Sequence, residues 1–255
     1  MSSPNKNDAL IVTVIASFLT PFMGSSINIA LPTIGLEFGA NAILLGWIPT
    51  VYLLSLAVFL VPFGRIADIY GRKRIFTYGI IIFTISSLIA GFSISTEMLL
   101  LLRVFQGMGA AMIFGNVAAI IASLFPAGER GRALGISVTG VFLGLFLGPV
   151  LGGFLTQNLG WRSIFFFNVI LGLITTMAVL RLKGEWTEAH GEKFDFLGAI
   201  LLGISLVALM YGLSELPAAY GLLLILGGLL GLLVFFLVES RMESPVLEVK
   251  LFKNR

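Results

Sequence analysis

The sequence predicts an all-α integral membrane protein with about eight transmembrane helices. Of its 255 residues, 58% are hydrophobic and only 11% are charged, whereas a soluble domain carries about 25% charged residues. Lipid must therefore be the solvent for much of the surface. The apolar stretches are continuous and approach the length of about 20 residues that a spanning helix needs. A membrane β-barrel would instead show alternating segments of about ten residues.

The apolar stretches predict eight spans, at residues 10–34, 42–64, 75–95, 98–124, 133–156, 162–181, 196–214 and 220–239. Pro21, Pro62 and Pro149 lie inside or near the ends of spans, which membrane helices tolerate because neighbouring helices satisfy the freed backbone groups. We divide the chain into a six-helix bundle (1–182), a cytoplasmic loop (183–194), a two-helix linker hairpin (195–240) and a polar segment (241–255).

The positions of Lys and Arg predict the orientation in the membrane. With the N-terminus inside, only Arg162 lies on the outer side and only Arg103 lies within a span, and every other cation lies on the inner side. Because cytoplasmic loops carry an excess of Lys and Arg, we expect a cytoplasmic N-terminus and an even number of spans. Orientation accounts for the net charge of +3, so we expect no nucleic-acid partner. The first apolar stretch lacks a small-residue cleavage site, which favours a retained span over a signal peptide.

The densest charge cluster, GRIADIYGRKRI, occupies residues 64–75 between two apolar stretches. It contains one acid and four cations: Asp68, Arg65, Arg72, Lys73 and Arg74. We expect a short loop at the membrane surface, in which Gly64 ends the second span and Gly71 forms a tight turn. If the stretch is helical, Asp68 and Arg72 share a face and pair. Two alternatives are that Asp68 caps a helix N-terminus or that the cations only anchor topology and contact anionic lipid.

Arg103 lies inside the fourth span, in LLRVFQGMGAA. A guanidinium at mid-depth costs about 2.5–3.5 kcal/mol on insertion scales, so it normally faces the bundle interior or a wet cavity. Gln106 follows three residues later on the same face, and Gly107 and Gly109 permit close helix approach. The alternative is that Arg103 extends to the membrane interface.

The fifth span has a glycine pattern formed by Gly135, Gly144, Gly148, Pro149, Gly152 and Gly153. Small residues four apart make a groove for close helix packing, and Pro149 removes one backbone donor. The alternative is an ordinary glycine-packed membrane helix.

Polar residues within the spans are the remaining candidates. Asn28 and Asn116 each need a hydrogen-bonding partner in a neighbouring helix or a wet cavity, and both readings stay open. There is no cysteine, hence no disulfide framework and no thiolate metal site. The lone His190 lies in a polar loop. We find no nucleophile–base pair, metal cluster or phosphate loop, so we expect neither an enzyme nor a cofactor or metal.

Together these patterns resemble the major facilitator superfamily. GRIADIYGRKR resembles its signature between helices two and three, LLRVFQGMGAA its helix-four signature, and G135-x8-G144-x3-GP-x2-GG the helix-five signature of its antiporter branches. SINIALPTI, WRSIFFFNVILG and the apolar pair after residue 194 are similar to the fourteen-helix drug:proton antiporter family, in which two extra helices join two six-helix halves. The resemblance covers essentially the whole chain.

The resemblance implies a bundle of two inverted three-helix repeats and proton-coupled export of small amphiphilic compounds or drugs across the plasma membrane. Asp68 and its arginines would form a cytoplasmic gate against the other half, together with Gly64, Arg65, Gly71 and Lys73. Arg103, with Gln106, would serve proton coupling, and the helix-five glycines would set the bend and packing face. Substrate would bind between the halves, which rock in alternating access.

Two departures from the family pattern raise alternatives. Met23 stands where the family often has a helix-one Asp, and no acid lies deep in the first six spans. The chain therefore lacks the natural proton carrier, and coupling uses an acid outside it or is absent, as in a facilitator. The second departure is that members of the family have six helices beyond those predicted in this sequence. We expect the chain to be an N-terminal portion that lacks its C-terminal half, or a non-transporting half that needs a partner.

Overall fold

In the computed structural model, residues 6–182, 184–185, 192, 194–240, 242, 245 and 247 are described. These residues form eight α-helices and no strand: α1 (Lys6–Phe38), α2 (Ala42–Tyr70), α3 (Arg72–Ala90), α4 (Thr96–Leu124), α5 (Ala127–Leu159), α6 (Arg162–Arg181), α7 (Phe196–Ser214) and α8 (Ala219–Glu239). Each is long and apolar enough to cross a membrane. The predicted fold class and the predicted eight helices are confirmed.

Three helices extend beyond the predicted spans by more than one turn. α1 and α5 have 33 residues and α2 has 29, whereas about 20 residues cross the hydrocarbon core. The extra turns carry charged residues that the hydropathy pattern excludes from a span. The predicted second span ends at Gly64, whereas the helix α2 continues beyond it to Tyr70. One glycine costs a helix only about 1 kcal/mol, so it does not stop α2.

The six helices of the bundle pack as two related halves. The most extensive contacts join α1 with α5, α2 with α4, and α3 with α4, and α1 also contacts α6. Exchanging α1 with α4, α2 with α5 and α3 with α6 converts the α1–α5 pair into α4–α2 and the α3–α4 pair into α6–α1. Because each repeat contains three helices, the second runs opposite to the first. This is the predicted arrangement of inverted repeats.

The α1–α5 interface is built on glycines at four-residue spacing. Gly140, Gly144, Gly148 and Gly152 are all buried. A Cβ atom on Gly144 would lie 2.6 Å from the carbonyl oxygen of Phe18, and one on Gly140 would lie 2.6 Å from that of Val14. The backbones of α1 and α5 therefore touch directly, as small-residue spacing predicts.

The predicted glycine pattern matches this stripe only in part. Gly140 belongs to it although the predicted set omitted it. Gly135 is exposed, with no atom within 4 Å of its Cβ position apart from the adjacent backbone of α5, and a Cβ on Gly153 would make ordinary contact with Ile29 at 3.7 Å. Pro149 lies within the continuous helix α5. Only Gly144, Gly148 and Gly152 of the predicted glycines therefore occupy the close interface.

The linker hairpin consists of α7 and α8, which pack on each other, and α7 also contacts α2. A Cβ on Gly212 would lie 2.8 Å from the carbonyl oxygen of Gly221, so the two helices cross closely at their joined ends. The Asp195 carboxylate accepts from the backbone N–H of Gly198 at 3.0 Å and caps α7. Most of the predicted loop 183–194, including His190, and most of 241–255 lie outside the described residues.

Candidate functional site

The charged stretch 64–75 consists of two helix ends joined at a single residue. Only Gly71 separates α2 from α3, with φ at 118°, a conformation that favours glycine. Its N–H donates to the Ala67 carbonyl at 2.8 Å and so closes the last turn of α2. The predicted tight turn at Gly71 is confirmed, whereas the predicted surface loop is reduced to this one residue.

Asp68 and Arg72 form an ion pair across that turn. Arg72 Nε donates to Asp68 Oδ1 at 2.8 Å, and Arg72 Nη1 donates to Ser123 Oγ at 2.9 Å. The guanidinium is buried, with 7% of the side chain exposed, and it ties the ends of α2, α3 and α4 together. The structure does not support the alternative in which Asp68 caps a helix N-terminus, because Asp68 lies in the last turn of α2 and the cap residue of α3 is Gly71.

The anion at the N-terminus of α3 is Glu185, from the segment after α6. Its Oε1 accepts from the backbone N–H groups of Lys73 at 2.8 Å and Arg74 at 3.3 Å, where the helix dipole favours a negative charge. Arg65 forms an ion pair with Glu192, and Lys73 Nζ donates to the Leu182 carbonyl.

Sequence reasoning missed Glu185 and Glu192. The only available signal was the presence of acids in the long loop that follows α6, on the same predicted side as the cations. The contacts with this loop mean that Arg65 and Lys73 already have partners within the chain.

Replacing Gly71 by alanine is expected to disturb this corner of the bundle. A Cβ there would lie 2.6 Å from Glu185 Cδ, and a non-glycine residue in such a backbone conformation costs about 1–3 kcal/mol. We expect a lower melting temperature, measured by heating the purified protein and following its monodisperse fraction. Gly64→Ala is the matched control, because the Cβ position of Gly64 is open and helical. Equal melting temperatures for the two variants would contradict this account of Gly71.

Arg103 lies in the bundle interior and is fully buried, at 0% exposure. Its Nε donates to the Ile48 carbonyl at 3.2 Å and its Nη1 to Gln106 Oε1 at 3.0 Å. Gln106 Nε2 in turn donates to Ser87 Oγ at 2.7 Å. The interface alternative for Arg103 is wrong, and the predicted i, i+3 relation with Gln106 is a direct hydrogen bond.

Tyr52 of α2 connects this polar chain to α1. The Arg103 guanidinium carbon lies 4.1 Å from the centroid of the Tyr52 ring, and the Tyr52 hydroxyl donates to the Thr20 carbonyl at 3.0 Å. Among the described residues, Arg103 Nη2 has no hydrogen-bond partner. Sequence reasoning missed Tyr52, which stands in an apolar stretch about 50 residues away with nothing to mark it.

A cavity of about 400 Å³ opens between α1, α2, α4 and α5. It is lined by Thr20, Pro21, Gly24, Ser25, Asn28, Tyr52, Leu53, Leu56, Phe114, Val141 and Leu145. The Asn28 side chain is exposed at this cavity, and its amide donates to the Gly24 carbonyl of the same helix at 3.3 Å. Two interpretations of Asn28 were open, a hydrogen-bonding partner in a neighbouring helix or a cavity. The structure supports the cavity.

Asn116 and Met23 do not line this cavity. Asn116 is buried and its amide donates to the Met112 carbonyl at 2.7 Å, so a coupling role for it stays a prediction. Met23 is fully buried, and its sulfur lies 3.2 Å from Asn168 Nδ2. The helix-one position that carries Met23 thus faces the bundle interior.

The chain matches one family model and is similar to several known transporters. A family model described as the Major Facilitator Superfamily matches residues 13–195. The riboflavin transporter RibZ of Clostridioides difficile is 32% identical over 96% of this chain and 54% of its own length. The cephamycin export protein CmcT of Amycolatopsis lactamdurans is 36% identical over 96% of this chain and 52% of its own length.

Further similar proteins extend this picture. The multidrug resistance protein Stp of Mycobacterium tuberculosis is 31% identical over 97% of this chain and 48% of its own length. A crystal structure of the peptide transporter POT in complex with sulfate superposes with a TM-score of 0.69, at 17% identity, over 92% of this chain and 53% of that one. The chain therefore spans about half the length of the transporters to which it is similar.

Proposed function

Because the chain belongs to the Major Facilitator Superfamily, we propose that it forms the N-terminal half and linker hairpin of a plasma-membrane transporter that exports small amphiphilic molecules by alternating access. The superfamily consists of transporters, and we propose no enzymatic activity for this chain. The excess of Lys and Arg in one set of loops supports a cytoplasmic N-terminus. We propose that the other half of the transporter is a second six-helix bundle, and the length of similar proteins, about half of which this chain spans, supports a further half.

The observation that carries the proposal is the cavity between α1, α2, α4 and α5. Its wall is mostly apolar, with a few polar groups from Thr20, Ser25, Asn28 and Tyr52. Ligand sites for small molecules have this composition, in which apolar area supplies affinity and a few polar groups fix orientation. The names of the similar proteins, which include an antibiotic exporter and a multidrug resistance protein, support export of such compounds.

We place the gate at the Asp68–Arg72 pair and the coupling element at Arg103 and Gln106. The pair joins three helix ends at the predicted cytoplasmic surface, where closure against the other half would occur. Among the described residues of the bundle, each carboxylate lies near a helix end: Asp8, Glu37, Asp68, Glu97 and Glu129. Proton-coupled transport therefore uses a carboxylate of the other half.

An uncoupled facilitator is the second candidate function. It is favoured by Met23, which places a thioether at a buried helix-one position where a carboxylate would carry a proton. The riboflavin transporter among the similar proteins makes a nutrient-sized substrate a suitable probe for either function.

A pH-jump experiment separates the two candidates. The full-length protein is reconstituted into vesicles and the uptake of riboflavin and of a cephalosporin is followed with and without an imposed proton gradient. We expect accumulation against the concentration gradient that a protonophore abolishes. Transport that only equilibrates the substrate and ignores the proton gradient would favour the facilitator, whereas no transport of any probe would contradict the proposed function.

A further inference from the structure

We propose that the cavity selects neutral and anionic molecules over cations, and that Arg103, acting through the ring of Tyr52, is the residue responsible. This inference rests on the proposed function and adds the charge class of the substrate. It concerns the wall of the cavity where α2 meets α4.

The cavity wall offers a cation no carboxylate. Its lining residues, all within the described part of the chain, are apolar or neutral. The closest carboxylates along the lining helices belong to their end turns, as on α1, where Asp8 and Glu37 lie on either side of the lining segment from Thr20 to Asn28. A cation in this cavity would lose part of its hydration and gain no counter-charge from this half.

Arg103 puts a positive charge directly behind that wall. Each partner that the structure gives its guanidinium is neutral: the Ile48 carbonyl, the Gln106 amide oxygen and the Tyr52 ring. Its Nη2 is buried and has no hydrogen-bond partner among the described residues. No described contact of the Arg103 guanidinium neutralises its positive charge, so its electrostatic potential extends to the cavity. Because the group is buried, salt screens this potential only weakly.

Tyr52 stands between Arg103 and the cavity. Tyr52 is 2% exposed and lines the cavity, while the centroid of its ring lies 4.1 Å from the guanidinium carbon of Arg103 on α4. Aromatic faces attract cations through their electron density. Because Arg103 already makes a cation–π contact with the Tyr52 ring, the ring does not offer a cation–π site to a cationic ligand.

The expected size of the effect follows from Coulomb's law. A charged group on the cavity side of the ring would lie about 8 Å from the guanidinium, and at an effective dielectric constant of about 20 the interaction changes a binding constant roughly 30-fold. A cation is disfavoured by this factor and an anion is favoured by it. For an anion and a cation of the same shape, the ratio of the two binding constants is the product of the two factors. Water in the cavity reduces this ratio, and we expect it to be at least about tenfold.

Binding of two xanthene dyes of similar size tests the proposal. Fluorescein is the anion and rhodamine 123 the cation, and anisotropy titration of the full-length protein in detergent removes any membrane potential. We expect fluorescein to bind at least about tenfold more tightly. Arg103→Gln should abolish the preference and Arg103→Lys should keep it. Tighter binding of rhodamine 123, or an unchanged ratio in Arg103→Gln, would overturn the charge selection alone, whereas no binding of either dye would overturn the proposed function as well.

A second variant keeps the proposal falsifiable if Arg103→Gln does not fold. Asn28→Asp places a carboxylate in the cavity lining without a change of shape, and we expect it to shift the dye ratio toward rhodamine 123 by about tenfold. Asn158→Asp is the matched control, because Asn158 is exposed near the end of α5 and away from the cavity lining. The same dye ratio in both variants would overturn the proposal.

Discussion

Gly144→Ala is expected to destabilise the bundle by about 1–3 kcal/mol, the usual cost of an added methyl group in a closely packed core. The added Cβ would lie 2.6 Å from the Phe18 carbonyl oxygen and 3.0 Å from the Phe22 nitrogen. Both are backbone atoms of α1, so the clash is relieved only by moving one helix away from the other. That movement would also loosen the buried hydrogen bond between Ser17 and Ser137, at 3.0 Å in the same interface. The measurement is the melting temperature of the purified full-length protein.

The same helix supplies two control variants. Gly135→Ala adds a methyl group where no atom lies within 4 Å apart from the adjacent backbone of α5, and Gly153→Ala adds one at an ordinary contact distance of 3.7 Å from Ile29. Because alanine is the better helix former by about 1 kcal/mol, neither should lower the melting temperature. Equal losses in Gly135→Ala and Gly144→Ala would show that flexibility of α5, and not close packing on α1, is the role of these glycines.

Asp68→Asn is expected to leave insertion and abundance unchanged and to slow transport. The amide keeps the shape of the side chain, and Arg72 retains Ser123 as a partner, so the helix ends stay joined. What is lost is the charge that balances the buried guanidinium, so the conformation that buries Arg72 is disfavoured relative to the other conformation of the gate, and the transport cycle slows. Transport in vesicles, normalised to the amount of inserted protein, is the measurement.

Two further variants distinguish a gate from a topology anchor. Glu129→Gln removes a carboxylate from the exposed ion pair with Lys6 and should transport like the wild type. Arg74→Gln removes an exposed cation of the same stretch, and it should also transport normally if the pair is the working element. Wild-type transport by Asp68→Asn together with a defect in Arg74→Gln would leave the stretch with an anchoring role only.

Local spacing predicted the features that depend on neighbours along one helix. The eight helices follow from apolar length, the Gln106 contact of Arg103 follows from a separation of three residues, and the Asp68–Arg72 pair follows from a separation of four. The turn at Gly71 was predictable because so few residues adopt its backbone conformation. Each of these features is set by a few consecutive residues.

Features that depend on distant residues could not be predicted. Gly140 belongs to the packing stripe only because α1 lies against that face of α5, and Tyr52 matters only because Arg103 lies over its ring. Glu185 is separated from the N-terminus of α3 by more than 100 residues. Helix ends were misplaced for a different reason, since hydropathy reports the edge of the hydrocarbon and α2 continues beyond it to Tyr70.

Labelling a cysteine at position 28 separately from each side of the membrane tests most directly whether the cavity opens to both sides in alternation. The chain contains no cysteine, so Asn28→Cys introduces a single thiol at the cavity lining, with any cysteine outside this sequence replaced. Ile85→Cys, on an exposed apolar face of α3, is the lipid-facing control, because a thiol reacts with a maleimide as the thiolate, which requires water. We expect a membrane-impermeant maleimide to reach position 28 from each side of the membrane in turn, with substrate changing the ratio of the two rates, and to leave Ile85→Cys unlabelled. Labelling of position 28 from one side only, unaffected by substrate, would contradict the account.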